Sequence, residues 1–326
     1  MKEIRRILFI RTDRMGDVLM NLPALRALRL SYPKAWITLL ADRPVSGLFR
    51  DHPDLDEIME TDAGLLASSF WERIKLTWRV RRVRYDLAVV SNSSKFFHWL
   101  VFASGIPVRA GWRRKWPFFL NKTLPDKKSV THTHEMDNNL LLAGLVCEQK
   151  WDGKICLGAD PRTSAEIKKV LDEFAGDGNL IVVHTGTSNA RKRWSEENFI
   201  LLCRALPSRR AEKIVFIGGQ EEGPTVKNIA SRLASPYLDL CGKTTLRELA
   251  ALFADPRVRV LVSSDSGPVH LAWIAGKPVV AFYALDVPGS DPARWGPRNG
   301  NHELIYKFVR DIKPDEVLAG IERVLA

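Results

Sequence analysis

Residues 258–283 read VRVLVSSDSGPVHLAWIAGKPVVAFY. Val258–Ser263 is a near-continuous apolar, β-branched run interrupted only by Arg259, the pattern of a strand covered on both faces. It stops at the polar turn Ser264-Asp265-Ser266-Gly267. Pro268 then suits the first turn of a helix, where a missing N–H costs nothing. Pro278–Tyr283 is a second apolar run. Strand, turn, helix and strand within so few residues define one βαβ unit, and hence a parallel sheet with helices on its faces.

The same rhythm runs in both directions from this stretch. Strands are expected at Ile7–Arg11, Trp36–Ala41, Leu87–Ser91, Leu180–His184 and Lys213–Gly218, with helices at Thr163–Ala175, Ser195–Leu206 and Leu246–Ala254. The chain has 326 residues, which suits two domains of about 150 residues each. The pattern restarts after the Gly/Asp/Pro-containing stretch 151–161, so a junction is expected near residue 157. That divides the chain into 1–157 and 158–326, each an α/β doubly wound domain. A closing helix at 314–326 is available to pack back on the first of them. No run approaches the roughly 20 apolar residues needed to span a bilayer, and the start lacks a secretory core, so a cytoplasmic location is expected. Cys147, Cys156, Cys203 and Cys241 form no CxxC pair and read as separate thiols.

Doubly wound sheets bind ligands beyond the carboxyl ends of their strands. Four post-strand segments therefore carry the chemistry. In the first, Arg11–Asp17, Gly16 permits a tight turn that brings Asp17 to the strand end, as a base toward a hydroxyl or as a helix cap. Pro23 marks either a first turn or a kink. The second, His184–Ser188 with Lys192, is small, hydroxylated and near cations, which suits a phosphate; Ser195 reads as a helix cap. The third, Gly218–Glu222, lacks both the P-loop and the GxGxxG pattern, yet its glycines and carboxylates suit a sugar or ribose. In the fourth, Asp265 can accept sugar hydroxyls while Ser266 and Gly267 approach an anion at a helix start. His270 lies one turn in, packed or functional. Asp54-Leu55-Asp56 and His132/His134 are weak metal patterns: the first sits in a loop of Asp and Pro, and the second lacks a third ligand at a suitable spacing.

Taken together these segments resemble glycosyltransferase family 9, the ADP-heptose:lipopolysaccharide heptosyltransferases. The resemblance rests on RTDRMGDVLMNLPALRALR (11–29), HTGTSNARKRWSEENF (184–199), FIGGQEEG (216–223), LCGKTTLRELAALF (240–253) and SSDSGPVHLAWIAGKPVVAFY (263–283), in this order. It implies a GT-B fold, two Rossmann-like domains facing a central cleft, with acceptor held by the first and nucleotide sugar by the second. It implies Asp17 as general base, Thr187, Ser188 and Lys192 on the diphosphate, and Glu221 or Glu222 on the donor. Asp265, Ser266, Gly267 and His270 match the donor motif D-[ST]-G-x-x-H. The implied reaction is inverting, without cofactor or metal. Its donor would be ADP-heptose and its acceptor an anionic bacterial glycolipid. A sugar-nucleotide epimerase, or a relative using another sugar, is the alternative. A nicotinamide dehydrogenase is disfavoured by the absence of G-x-G-x-x-G.

The net charge of +11 resides in 69–128, where fourteen Lys or Arg face three acids. Five of the ten tryptophans and six of the fourteen phenylalanines lie there too. Arg113, Arg114, Lys115, Trp112 and Trp116, together with Arg14 beside Asp17, are expected to meet the acceptor or the inner-membrane surface. Nucleic acid would explain the charge but not the four post-strand sites. The competing reading is a solvated charged face with its aromatics turned into the core.

Overall fold

The computed structural model describes residues 3–126, 132–158, 160–209 and 212–326; Lys127 and Lys128 of the basic stretch lie outside them. The chain forms two compact units, Met1–Gly158 and Ala159–Ala326.

The first unit holds a six-stranded parallel sheet in the order β3-β2-β1-β4-β5-β6. Its strands are β1 (Arg6–Ile10), β2 (Trp36–Asp42), β3 (Glu57–Thr61), β4 (Leu87–Val90), β5 (Val108–Trp112) and β6 (Lys122–Leu124). Chain order reverses at β1, whose neighbours are β2 and β4. β1 and β4 are completely apolar inside, from Ile7 to Ile10 and from Leu87 to Val90, because helices cover both faces. Pro23 settles as a helix start: a five-residue helix ends at Leu19 and the next, Leu22–Ser31, begins with Pro23 in its first turn. Beneath Phe70–Val83 and Lys95–Ala103, one core joins Leu76, Val80, Phe97, Leu100 and Val101 to Leu8, Ile10, Ala88 and Val90.

The second unit repeats the topology, in the order β12-β11-β10-β7-β8-β9. Its strands are β7 (Leu180–His184), β8 (Lys213–Ile217), β9 (Tyr237–Asp239), β10 (Val258–Ser264), β11 (Val279–Ala284) and β12 (His302–Lys307). Here the reversal falls between β7 and β10. Both sheets thus have the Rossmann strand order. Ser195 caps the helix Glu196–Arg209, accepting from the Asn198 amide at 3.2 Å.

The expected closing helix forms. Pro314–Leu325 belongs to the second unit, where Val317, Leu318, Ile321 and Val324 enter the core with Phe199, Val280 and Ile305. Its apolar stripe fits the helix Glu196–Arg209 on one side and β10–β12 on the other. Removing the fully buried branches of Ile321 by Ile321→Ala should cost about 2–5 kcal/mol. This would be read as a lowered urea midpoint for the second unit. Leu201→Ala, at an exposed position of the neighbouring helix, should shift it by no more than about 0.5 kcal/mol.

Candidate functional site

The first switch point is bridged by Arg11, buried where β1 ends. Its Nη1 donates to the Ser91 carbonyl at 3.1 Å, beyond the end of β4, and to Ser91 Oγ at 3.2 Å. Nη2 donates to Asp17 Oδ1 at 2.8 Å, and Nε faces Asp13 Oδ2 at 3.1 Å. Asp17 is not the cap of its helix. Arg14 holds that position in extended geometry, and Asp17 is the third residue of Met15–Leu19, half-buried, with Asn21 donating to its backbone carbonyl at 2.8 Å. Burial raises the Asp17 pKa above its ordinary value; Arg11 opposes this, while Asp13 and the buried Glu135 add to it. The result is a carboxylate held by one oxygen and more basic than a surface aspartate.

The second switch point is bridged by His184, at the end of β7. Its Nδ1 lies 2.9 Å from Ser263 Oγ in β10 and 3.2 Å from Ser266 Oγ at the start of the helix Gly267–Ile274. Ser263 donates to the Ser264 carbonyl at 2.8 Å, so the simplest proton assignment is a neutral ring donating from Nδ1. Burial depresses the His184 pKa to about 4.

Around this node the expected residues assemble in part. Asp265 accepts from Lys192 Nζ at 2.6 Å and from Ser290 Oγ at 3.0 Å, and its own amide bonds Phe282 O of β11 at 2.8 Å. Lys192 is fixed through Trp194, two residues on. That buried ring packs on Phe199 and Phe282 and donates to Ile312 O at 2.9 Å. Ser266 is the helix N-cap, and Gly267 and Pro268 are the first helical residues, as expected. His270 is buried one turn in, with its ring 6.4 Å from that of Trp295. Glu222 lies across the tips of β7 and β8, donated to by the Gly219 amide at 2.7 Å. A Cβ on Gly186 would stand 2.3 Å from Glu222 Oε1, and one on Gly218 2.9 Å from its Cβ, so the carboxylate occupies space that only glycines leave. Glu221 is exposed beside its own Gly219, so of the two acids Glu222 is the one at the strand ends. Thr187 is half-buried and Ser188 exposed.

Neither weak metal pattern converges. Asp54 pairs with Arg26 at 2.9 Å, and Asp56 pairs with Arg29 and accepts from the Ile37 amide. His134 caps the helix Glu135–Ala143, its Nδ1 accepting from the Met136 amide. Arg113, Arg114, Lys115 and Trp116 are exposed, as is Arg14. Trp112 is a correction. It is the last residue of β5, buried to 2% exposure, with Nε1 donating to Ser91 O at 3.1 Å, so it cannot face a membrane. Sequence reasoning also passed over Arg11, Ser290 and the side chain of His184. Ser290 was findable, since the turn after Pro278–Tyr283 is post-strand like the other four.

Residues 73–316 match the family described as glycosyltransferase family 9 (heptosyltransferase). The chain is 24% identical over 310 residues to lipopolysaccharide heptosyltransferase 2 of Escherichia coli (strain K12), covering 88% of this chain and 85% of that one. Its fold is similar to the glycosyl transferase family 9 structure from Veillonella parvula DSM 2008, with a TM-score of 0.89 and 20% identity over 98% and 97% of the two chains. It is also similar to the E. coli ADP-heptose LPS heptosyltransferase II structure, at 0.81 and 23% over 98% of each. Fold and family together make the chain a glycosyltransferase of the GT-B type. It belongs to glycosyltransferase family 9.

The buried neutral His184 makes stability depend on acid. The unfolded chain binds the proton near pH 6.5 and the folded one only near pH 4, so stability is full above about 6.5 and falls as pH drops toward 4. The loss should reach on the order of 3 kcal/mol. His184→Asn, which keeps a hydrogen-bonding amide but cannot take the proton, should flatten the decline in melting temperature measured across this range.

Proposed function

We propose that the chain transfers heptose from ADP-heptose, with inversion and without a metal, to an acceptor hydroxyl of a lipopolysaccharide-type glycolipid. The observation that carries this reading is the arrangement at the second switch point. Lys192 and Asp265 there pair beside the start of the helix Gly267–Ile274, a cation and a carboxylate at a positive helix end, and Glu222 lies across the tips of the neighbouring strands β7 and β8. The cation and the helix start suit a diphosphate, and the carboxylates suit the hydroxyls of a sugar or ribose. Thr187, Ser188 and His270 are assigned to the same donor. The names of the heptosyltransferase relatives support the choice of sugar and acceptor class.

In the proposed step Asp17 accepts the proton of the acceptor hydroxyl, whose oxygen forms the new bond to the anomeric carbon. The bond from that carbon to the diphosphate oxygen breaks on the opposite face, and its electron pair leaves with the nucleoside diphosphate. Charge growing on the leaving group is met by Lys192 and the helix start, which are in place beforehand. The raised basicity of Asp17 serves the proton transfer, and Arg11 holds its carboxylate in one orientation.

Asp17→Asn should lower turnover by about 10²–10⁴-fold while donor binding, measured by calorimetry, is retained. In the native enzyme kcat/KM should fall on the acid side through a group titrating above the ordinary aspartate value; this limb should vanish in Asp17→Asn. Native turnover by a folded Asp17→Asn protein would remove Asp17 from the reaction.

Lys192→Ala should weaken nucleoside-diphosphate binding by about 1.5–3 kcal/mol, roughly ten- to a hundredfold. Turnover should persist in excess EDTA. Loss of activity in EDTA with rescue by magnesium or manganese would overturn the metal-free reading. A panel of ADP-, UDP-, GDP- and dTDP-sugars tests the donor, with the ADP sugar expected to give the largest thermal shift.

A further inference from the structure

The outer face of the helices Phe70–Val83 and Lys95–Ala103 faces away from the core that lies beneath them. Leu76 and Val80 of the first helix point inward, while Phe70, Trp71 and Trp78 point out, as do Phe102 on the second helix and Trp116 and Phe118 in the loop that follows β5. These six aromatic rings are between 44% and 71% exposed. Scattered apolar residues on a surface need no explanation, but a group of large rings on one helical layer does.

The rings and the cations form one surface. Arg82 lies over Trp78 at 4.3 Å, Lys95 over Trp116 at 5.4 Å and Arg109 over Phe102 at 5.5 Å. Arg73 spans the two helices, its guanidinium 5.7 Å from the ring of Phe96. Phe119 links the loop to the second helix, 5.1 Å from Phe102 and 4.5 Å from Phe118. Within residues 69–126, twelve cations face three acids, and Glu72 and Asp126 are already paired with Lys75 and Arg114. Two copies of such a face repel each other. An anionic surface attracts it.

The topology orients the layer. Both helices are crossovers between parallel strands and so run opposite to them, which puts Phe70, Trp71 and Lys95 at the carboxyl edge of the sheet. Arg113–Trp116 follow the end of β5 at that same edge, and Asp17 follows the end of β1 there.

We propose that this aromatic and cationic layer seats the first unit on an anionic lipid bilayer, with its rings at headgroup depth and its cations against lipid phosphates. Rings such as Trp and Phe combine apolar bodies with cation-binding faces, and each cation near an anionic leaflet adds severalfold to partitioning. Docking by this layer holds the edge that carries Asp17 beside the lipid surface. The seat takes from the proposed function only the identity of what reaches Asp17.

Vesicle flotation tests the seat without catalysis. The native chain should float with phosphatidylglycerol-rich vesicles and not with pure phosphatidylcholine, with a blue shift of tryptophan fluorescence. Trp71→Ser/Trp78→Ser should weaken flotation about tenfold. Arg113→Glu/Arg114→Glu/Lys115→Glu should abolish it, and thermal melting should show both variants folded. Trp71→Ser/Trp78→Ser should retain turnover of a soluble, delipidated acceptor and lose it on the same acceptor in vesicles. Such a result would be inaccessible if the transfer reading failed, yet the flotation arm would still stand. The proposal is overturned if the native chain ignores anionic vesicles, if the tryptophan variant floats like the parent, or if the layer proves to bind a second copy, seen as a native dimer that Trp71→Ser/Trp78→Ser dissociates.

Discussion

Each half of this enzyme is organised by the place where its parallel sheet reverses direction. A strand flanked by sequence neighbours on one side and later strands on the other leaves two loops that diverge, and the opening between them exposes buried backbone ends. The reversal is also the most deeply covered part of the sheet, so polar groups at its edge must be satisfied there or not placed there at all. The chain spans each opening with one buried side chain. Arg11 reaches from β1 to Ser91 beyond β4, and His184 reaches from β7 to Ser263 of β10.

The two spans use opposite electrostatics. Arg11 remains charged, and its burial is compensated by Asp13, Asp17 and the Ser91 carbonyl. Its cost is thus recovered as the orientation of a carboxylate. His184 goes neutral instead, and its depressed pKa records the burial of a ring whose neighbours are hydroxyls. A charged span beside Asp265 and Lys192 would have joined their pairing. A neutral one leaves the cation and carboxylate of that site to each other and to whatever binds.

The sequence was legible where burial is two-sided. The inner strands β1, β2, β4, β7, β8, β10 and β11 are largely apolar runs, readable to within a residue at each end. The outer strands β3, β6, β9 and β12, with β5 one place inward, are short or carry charged and polar residues, as in EIMET, KTL and HELIYK. Sheet edges are partly solvated, so no apolar run marks them. The post-strand rule put Asp17, the pair Glu221 and Glu222, and Asp265 beyond strand ends, because loop position follows from strand position. It could not say that Lys192 pairs with Asp265 across 73 residues, nor that Trp112 turns inward from a basic stretch. Those facts depend on three-dimensional register: Trp112 ends β5 beside β4, where its ring meets Ser91. The closing helix is a similar case: an apolar stripe announces that it will be buried but not against what.

Glu222 reaches over the tips of two strands only because Gly186 and Gly218 have no side chains there. The three positions come from separate segments of the chain, yet they behave as one unit of inheritance. While the glutamate stays, any methyl at either glycine collides with it. Should the glutamate shorten first, Gly186, which meets only its outer atoms, becomes free to gain a side chain, and that gain closes the route back, while Gly218 still faces the retained Cβ. A lineage that gives up this carboxylate therefore passes a ratchet, and the order of its substitutions is set by steric exclusion before selection on activity enters.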